Sequence, residues 1–239
     1  MTDSVIILTG GLTGSSVVAG LLGAAGYWTG TETFKKSDYN TYENGDLIKL
    51  NRRLMARVGV GEEYTKYFLP DAIEAIARLE DEDATPYREF LATCESHAPW
   101  LWKEPRLWLT IRFWEHMLPR SGVRIILLER DLRQAWISMT QRRTIQTWGY
   151  TRRYHDGVQN SLRRYLGESG RPYLEMNYED LIIRPQAELE RLSRYLDMPI
   201  TMEHLTSTYR GTLYRKNKGL KDAIEATLIY LKNYGERLR

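Results

Sequence analysis

A glycine-rich segment with several hydroxyl side chains lies near the start of the chain, where residues 9–16 read TGGLTGSS. Backbone N–H groups in such a loop, together with the N-terminus of a following helix, form a ready site for a phosphate. Loops that bind nucleoside triphosphates, with the pattern G-x-x-x-x-G-K-[ST], carry a lysine for the terminal phosphates. Residues 9–16 contain no lysine or arginine, and Leu12 stands among the glycines and hydroxyls. The segment therefore predicts an anion site that lacks its own positive charge.

A second pair of residues has the chemistry to bind a phosphate. Arg130 ends an apolar, strand-like segment, and Ser138 follows two turns into the next predicted helix. A guanidinium offers paired N–H donors and a serine hydroxyl adds another, a combination that suits a compact phosphomonoester. Arg130 and Ser138 therefore predict a second phosphate site.

Both candidate sites follow segments typical of buried strands. Residues 5–9 (VIILT) are apolar and β-branched, and residues 15–25 follow with helical spacing. Residues 123–130 (VRIILLER) give the strongest strand pattern, a helix is predicted over 131–143, and a third strand over 173–177. Strands that alternate with helices predict an α/β fold of three layers, a central, mostly parallel sheet flanked by helices, with ligands at the carboxyl ends of the strands.

The rest of the chain is expected to be mostly helical. Residues 27–44 are polar and aromatic, the composition of a long functional loop. A short strand is predicted over 100–103, and helices over 46–58, 70–82, 85–96, 106–118, 152–166, 185–196 and 222–234. A basic loop over 214–221 precedes the last helix.

The composition favours one α/β domain over residues 1–239, because 239 residues with 42% hydrophobic content can bury a proper core. The net charge of +3 is small, which favours a small anionic ligand over nucleic acid. The single cysteine, Cys94, excludes an internal disulfide and a cysteine-based metal site, so no metal is expected. Neither a secretion signal nor a stretch of ~18 apolar residues is found, so we expect a soluble, cytoplasmic protein with no membrane span.

Three separated blocks resemble the sulfotransferases that use 3′-phosphoadenosine 5′-phosphosulfate (PAPS), a family with a P-loop-like fold. GLTGSSVVAGLL is similar to their 5′-phosphosulfate loop, VRIILLERDLRQAWIS to their 3′-phosphate motif, and YLEMNYEDLIIRPQAELERLSRYLDMP to a later Y-E-D-L segment. WKEPRLWLTIRFW and TYENGDLIKLNRRLM resemble the W-K-D-P-R and Y-F-E-N segments of the bacterial and Golgi-type branch. The blocks span most of the chain in the family's order.

The resemblance implies roles for individual residues. The 5′-phosphosulfate is then bound by Gly11, Leu12, Thr13, Gly14, Ser15 and Ser16. The 3′-phosphate is bound by Arg130 and Ser138, and the basic segment RKNKG, with Arg215 and Lys216, resembles a C-terminal loop that closes over this phosphate. The donor is therefore expected to be PAPS, with adenosine 3′,5′-bisphosphate (PAP) as its product.

Two catalytic roles follow from the same resemblance, and each has alternatives. Relatives carry Lys or Arg at the position of Leu12, so either Lys103 or Arg106 replaces that cation, or transfer is slow or absent. Glu43 matches an acidic residue that is the general base in some branches, and Glu104 is the second choice. No histidine matches the base of the cytosolic branch.

The leading interpretation is a sulfotransferase that moves a sulfonate from PAPS to a hydroxyl or amine of a small-molecule, lipid or glycan acceptor. A catalytically degenerate protein that binds PAPS or PAP on the same scaffold is the alternative. A P-loop kinase or NTPase is a third hypothesis, which the missing lysine disfavours. The sequence leaves the acceptor and the oligomeric state open.

Overall fold

The computed structural model describes residues 2–36, 39–61, 67–79, 82–141, 147–208 and 219–234. The strands are β1 (Ser4–Leu8), β2 (Thr33–Lys35), β3 (Asn40–Asn44), β4 (Leu101–Lys103), β5 (Val123–Glu129) and β6 (Tyr173–Asn177). The helices of the first half are α1 (Ser15–Ala24), α2 (Gly45–Arg57), α3 (Pro70–Ala77), α4 (Thr85–Ser96) and α5 (Leu107–Glu115). The remaining helices are α6 (Leu132–Gln141), α7 (Trp148–Ser169), α8 (Tyr178–Ile183), α9 (Pro185–Leu196), α10 (Met202–Thr208) and α11 (Leu220–Lys232).

The central sheet has the strand order β4-β1-β5-β6, and every neighbouring pair is parallel. Alternate residues of β1 enter different apolar clusters, since Ile6 and Leu8 pack on one face of the sheet and Val5 and Ile7 on the other. A strand buried on both faces must be apolar throughout, which explains the VIIL run. The expected α/β architecture, a parallel sheet covered by helices, is confirmed.

The parallel register brings the carboxyl ends of the strands to one edge of the sheet. Ile7 pairs with Lys103, and Leu8 pairs with Leu127. The glycine-rich loop after β1, the end of β4 and the residues that follow β5 and β6 therefore lie at the same edge. This edge is where ligands bind in open α/β sheets.

The structure corrects the prediction of one long loop over residues 27–44. Strands β2 and β3 form a separate antiparallel pair within it. The Thr41 hydroxyl supports the pair by donating to the carbonyl oxygen of Phe34 at 2.7 Å. These strands are only three and five residues long and mostly polar, so they lack the alternation of apolar residues that marks a half-buried strand.

Other predictions need smaller corrections. Helix α3 ends at Ala77 and does not reach Glu82, whose carboxylate is buried beside α4, 2.6 Å from Arg53 and 3.0 Å from the Tyr87 hydroxyl. Helices α8 and α10 escaped prediction because they are too short to show a periodic pattern. The single-domain assignment stays a prediction.

None of the helices within the described ranges combines the length and the apolar character that crossing a bilayer requires. Over those same ranges, no group of three or more histidine, cysteine and acidic side chains is arranged to bind a metal ion.

Candidate active site

The loop between β1 and α1 has the backbone shape of an anion site. Leu12 and Gly14 both have positive φ angles, 61° and 79°, and helix α1 begins directly afterwards at Ser15. The N–H groups in the first turn of a helix lack partners within the helix, so here they are directed at the edge where the strands end. The first turn of α1 contains no acidic residue that would compete with an anion.

The side chain of Thr13 shapes the loop from within. Its hydroxyl lies 2.5 Å from the hydroxyl of Thr9, which in turn donates to the carbonyl oxygen of Leu128 at 2.9 Å. Thr13 is fully buried. The hydroxyl therefore attaches the loop to strand β5, and the group that Thr13 can offer an anion is its backbone N–H.

Gly14 is required by both its conformation and its surroundings. A β-carbon at this position would overlap the ring of Tyr178, the first residue after β6. The φ of 79° is also a left-handed conformation that favours glycine. The tyrosine of the Y-E-D-L segment thus packs directly on the phosphate loop.

Tyr154, in helix α7, contacts the first part of the loop. Its hydroxyl oxygen accepts a hydrogen bond from the N–H of Gly11 at 3.0 Å, and its ring lies edge-on to Trp108. Burial raises the pKa of Tyr154 to about 12, so the hydroxyl keeps its proton at neutral pH. This contact joins residues far apart in the sequence, and nothing in the local pattern around Tyr154 indicates it.

Arg130 connects the loop with the Y-E-D-L segment. Its Nη1 donates to the carbonyl oxygen of Leu12 at 2.9 Å, and its Nε donates to Oε1 of Glu179 at 3.2 Å. The guanidinium also lies over the Tyr178 ring, 5.1 Å from its centroid. Ser138 is buried on α6, the helix that follows Arg130. The structure thus joins Arg130 to the phosphate loop.

Lys103, at the end of β4, brings a second cation to the loop, next to Ser16. Its Nζ lies 2.6 Å from Oε1 of Glu43 and 3.2 Å from Oγ of Ser16. The Lys103 side chain is 2% exposed and that of Glu43 11%. A base candidate, a cation and a loop hydroxyl are therefore in direct contact, although they come from three separate segments of the chain.

Arg106 lies in a different environment. Its Nη1 is 2.5 Å from Oε1 of Glu104, and its backbone N–H donates to Oε2 of the same carboxylate at 3.2 Å. Glu104 is fully buried, and this burial raises its pKa, against the opposing effect of Arg106. Of the two candidates for the missing cation, Lys103 contacts Glu43 and Ser16, whereas Arg106 is paired with Glu104.

Comparison with known proteins assigns the family. A family model described as "Sulfotransferase family" matches residues 5–202, most of the chain. The chain belongs to the sulfotransferase family. The match includes Glu43, Lys103, Arg130 and the phosphate loop, and the resemblance of the sequence blocks is confirmed. No significant match is found among curated protein sequences.

Solved structures of sulfotransferases share the fold. The sulfotransferase domain from the Synechococcus PCC 7002 olefin synthase superposes with a TM-score of 0.58 at 15% identity, over 99% of this chain and 95% of that one. The sulfotransferase domain from the curacin biosynthetic pathway superposes with a TM-score of 0.54 at 16% identity, over 93% of this chain and 82% of that one. At these identities the likeness extends to the fold alone.

Two predicted contacts of this sulfotransferase, Arg215 and Lys216, lie outside the described residues and beyond the matched range. Tyr154 and Glu179 are among the residues that shape the site and that sequence reasoning missed. The sequence around Glu179 could have indicated its role, because Glu179 lies in the quoted Y-E-D-L segment directly after a strand. The sequence around Tyr154 contains no such indication.

Proposed function

We propose that this sulfotransferase transfers a sulfonate from PAPS to a hydroxyl or amine of a small-molecule, lipid or glycan acceptor. The observation that carries the proposal is the position of Lys103, whose ammonium lies 3.2 Å from Ser16 and 2.6 Å from Glu43. A cation from β4 is thus supplied to a loop that has Leu12 in place of its own.

Lys103 suits stabilisation of the leaving group. An ammonium has three N–H donors, and within the described residues two of them have protein partners, Glu43 and Ser16. In sulfonate transfer the acceptor atom attacks sulfur while the bond from sulfur to the phosphate oxygen breaks, so negative charge develops on that oxygen. A preorganised donor at such a position lowers the barrier by roughly 3 kcal/mol.

Glu43 suits the role of general base. Lys103 contacts only one carboxylate oxygen, Oε1, and the second oxygen has its own lone pairs with which to take the acceptor proton. The products are then the sulfonated acceptor and PAP, and the proton passes to Glu43. Arg130, together with Ser138, is proposed to bind the 3′-phosphate, which would connect recognition of the nucleotide to the loop through the Leu12 carbonyl.

The first test is binding of PAP, followed by differential scanning fluorimetry. PAP should raise the melting temperature, because a ligand that binds only the folded state stabilises it. The rise should be lost in Arg130→Ala and kept in Arg133→Ala, a matched control at an exposed arginine of the same region. No rise with the wild-type protein would overturn the assignment of the donor.

The second test is transfer from radiolabelled PAPS to a panel of phenols, primary alcohols, amines, glycans and lipid alcohols. A labelled product that is absent in Glu43→Gln supports the enzyme. PAP binding without product from any acceptor class would favour a degenerate binding protein, for which the specific observation is Leu12. Binding of ATP with Mg²⁺ in preference to PAP would instead favour a kinase or NTPase.

A further inference from the structure

The strand that carries Glu43 is not part of the sheet that carries Lys103. Strand β3 belongs to the separate β2-β3 pair, whereas Lys103 ends β4 of the central sheet. No ladder of backbone hydrogen bonds therefore sets the distance between the two side chains. Other contacts must keep Glu43 beside Lys103.

Helix α2 provides one such connection, because it continues directly from β3. The side chain of Asn44 caps this helix by accepting from the N–H groups of Asp46 and Leu47, at 2.9 and 3.4 Å. Glu43 therefore lies two residues before Gly45, the first residue of the helix. Any contact that fixes α2 relative to the end of β4 also fixes Glu43.

Asn51, in the second turn of α2, makes that contact. Its Nδ2 donates to Oε2 of Glu104 at 2.6 Å, and Glu104 directly follows Lys103. Its Oδ1 accepts from the Thr110 hydroxyl at 2.9 Å and from Nε1 of Trp114 at 2.8 Å, both in α5. Asn51 is fully buried, and these contacts satisfy both ends of its amide.

Two contacts thus cross between the same two segments, Glu43 with Lys103 and Asn51 with Glu104. We infer that Asn51 is a positioning residue that keeps the Glu43–Lys103 pair assembled for sulfonate transfer. The inference rests on the proposed function only for its effect on turnover. The geometric part, that Lys103 stays covered because Asn51 holds α2 against Glu104, can be tested separately.

The decisive variant is Asn51→Asp, which keeps the shape of the side chain and its capacity to accept from Thr110 and Trp114. The new carboxyl can donate to Glu104 only when one of the two carboxyl groups is protonated. We expect kcat to fall about 10- to 100-fold at the alkaline end of the pH range, where neither carboxyl group holds a proton, because a displacement of about 1 Å from a reactive geometry has an effect of this size. The Kd for PAP should change less than about threefold, because Asn51 does not touch the loop or Arg130 in the described structure.

The pH profile separates positioning from general damage to the fold. As the pH falls, the new carboxyl or Glu104 takes up a proton and the hydrogen bond can form again. The ratio of kcat in N51D to kcat in the wild type should therefore rise towards lower pH. The other charged groups around this contact are Arg106, Glu43 and Lys103, and all of them are present in both proteins.

Two matched controls accompany N51D. Thr110→Val removes one of the two donors to Oδ1 and leaves the bond to Glu104, so kcat should stay within about threefold of the wild type. Leu54 lies one turn further along α2 and is buried in the apolar core, so Leu54→Ala removes packing but no polar group. The L54A variant should have a lower melting temperature but should not show the pH-dependent loss of kcat expected for N51D. Equal losses of kcat in L54A and N51D, with a flat ratio across pH, would overturn the inference.

A readout without turnover keeps the inference testable if the wild type transfers nothing. Acetylation of Lys103 by acetic anhydride is followed by mass spectrometry relative to Lys49, whose side chain is 75% exposed. N51D should acetylate at Lys103 several-fold faster than the wild type or L54A. Faster labelling in a protein without transfer would support the positioning role while the proposed function fails, and unchanged labelling would overturn the positioning role.

Discussion

The guanidinium of Arg130 donates to the backbone carbonyl oxygen of Leu12 across 2.9 Å. Leu12 is the residue that lacks the charge expected of the loop, and its φ of 61° lies in the left-handed region. The same guanidinium is bound by Glu179 after β6. Residues that follow β1, β5 and β6 therefore form one connected unit, so a change at Arg130 affects both the loop and the proposed 3′-phosphate site.

Arg130→Ala separates these two effects when two nucleotides are compared. If Arg130 binds the 3′-phosphate, the Kd for PAP should rise about 100-fold, because two charge-assisted hydrogen bonds are lost. The Kd for adenosine 5′-phosphate, which lacks the 3′-phosphate, should rise much less, because it responds only to the lost support of the loop. Isothermal titration calorimetry measures both. Equal loss for the two nucleotides would mean that Arg130 acts only by supporting the loop.

Lys103→Met tests the proposal that Lys103 replaces the cation missing from the loop. The variant should lose about 10²- to 10³-fold in kcat, because one preorganised donor to the leaving oxygen is gone. It should also lower the free energy of unfolding by about 3 kcal/mol, since the Glu43 carboxylate stays buried without its partner. Transfer kinetics and urea unfolding measure the two effects. Lys49→Met, at an exposed lysine, is the control for both.

The double variant Lys103→Met, Glu43→Gln distinguishes those two effects. Removing the unpaired carboxylate should restore most of the lost stability. Activity should stay low, because both the donor and the base are absent. Recovery of activity together with stability would show that Lys103 acts only as the structural partner of Glu43.

The main strands and the loop could be predicted from the sequence because their patterns are local. Residues 123–129 are apolar except for Arg124 and Glu129, the two that are only partly buried, as expected of a strand buried on both faces along most of its length. Residues 9–14 combine glycine with hydroxyls directly after such a strand. Because carboxyl ends of parallel strands meet at one edge, the nearness of Arg130 to this loop followed from topology alone.

Contacts between distant segments were beyond sequence reasoning. Lys103 and Arg106 are close in sequence and both are cations near the end of β4, yet one faces Glu43 and the other Glu104. Their directions depend on how the chain turns after the strand. The sequence around Asn51 and Tyr154 indicates only a helix, because the groups that these two residues bind lie elsewhere in the chain.

Gly14→Ala should destabilise the protein strongly. The change adds a β-carbon that overlaps the Tyr178 ring, in a backbone conformation that costs alanine about 1 kcal/mol by itself. Gly59→Ala is the matched control, because Gly59 has a φ of 73° and open space around it. Urea unfolding should show a loss at Gly14 several times that at Gly59. Similar losses in the free energy of unfolding would mean that the overlap with the Tyr178 ring adds nothing to the cost of the substitution.

His155 should make the protein less stable in mild acid. Burial, with a smaller effect from Arg130, lowers the pKa of His155 to about 4, while Asp156 opposes the shift. The unfolded chain, with a histidine pKa of about 6.5, takes up the proton first, so stability falls as the pH drops from about 6.5 towards 4. The full loss is about 3 kcal/mol. His155→Phe should flatten this part of the pH dependence of unfolding, whereas His97→Gln, at an exposed histidine, should leave it unchanged.

Tyr154→Phe tests whether the tyrosine hydroxyl supports the phosphate loop. Loss of the acceptor leaves the Gly11 N–H without its partner and should lower the free energy of unfolding by about 1–3 kcal/mol. Tyr165→Phe, further along α7, also removes a largely buried hydroxyl, one that donates to Glu115 at 2.5 Å, and it should cost a similar amount. Only the change at Tyr154 should weaken PAP binding, by about tenfold, because only Tyr154 contacts the loop. If PAP binds both variants equally well, the loop keeps its shape without Tyr154, and the Thr9–Thr13 contact and Arg130 are sufficient to maintain it.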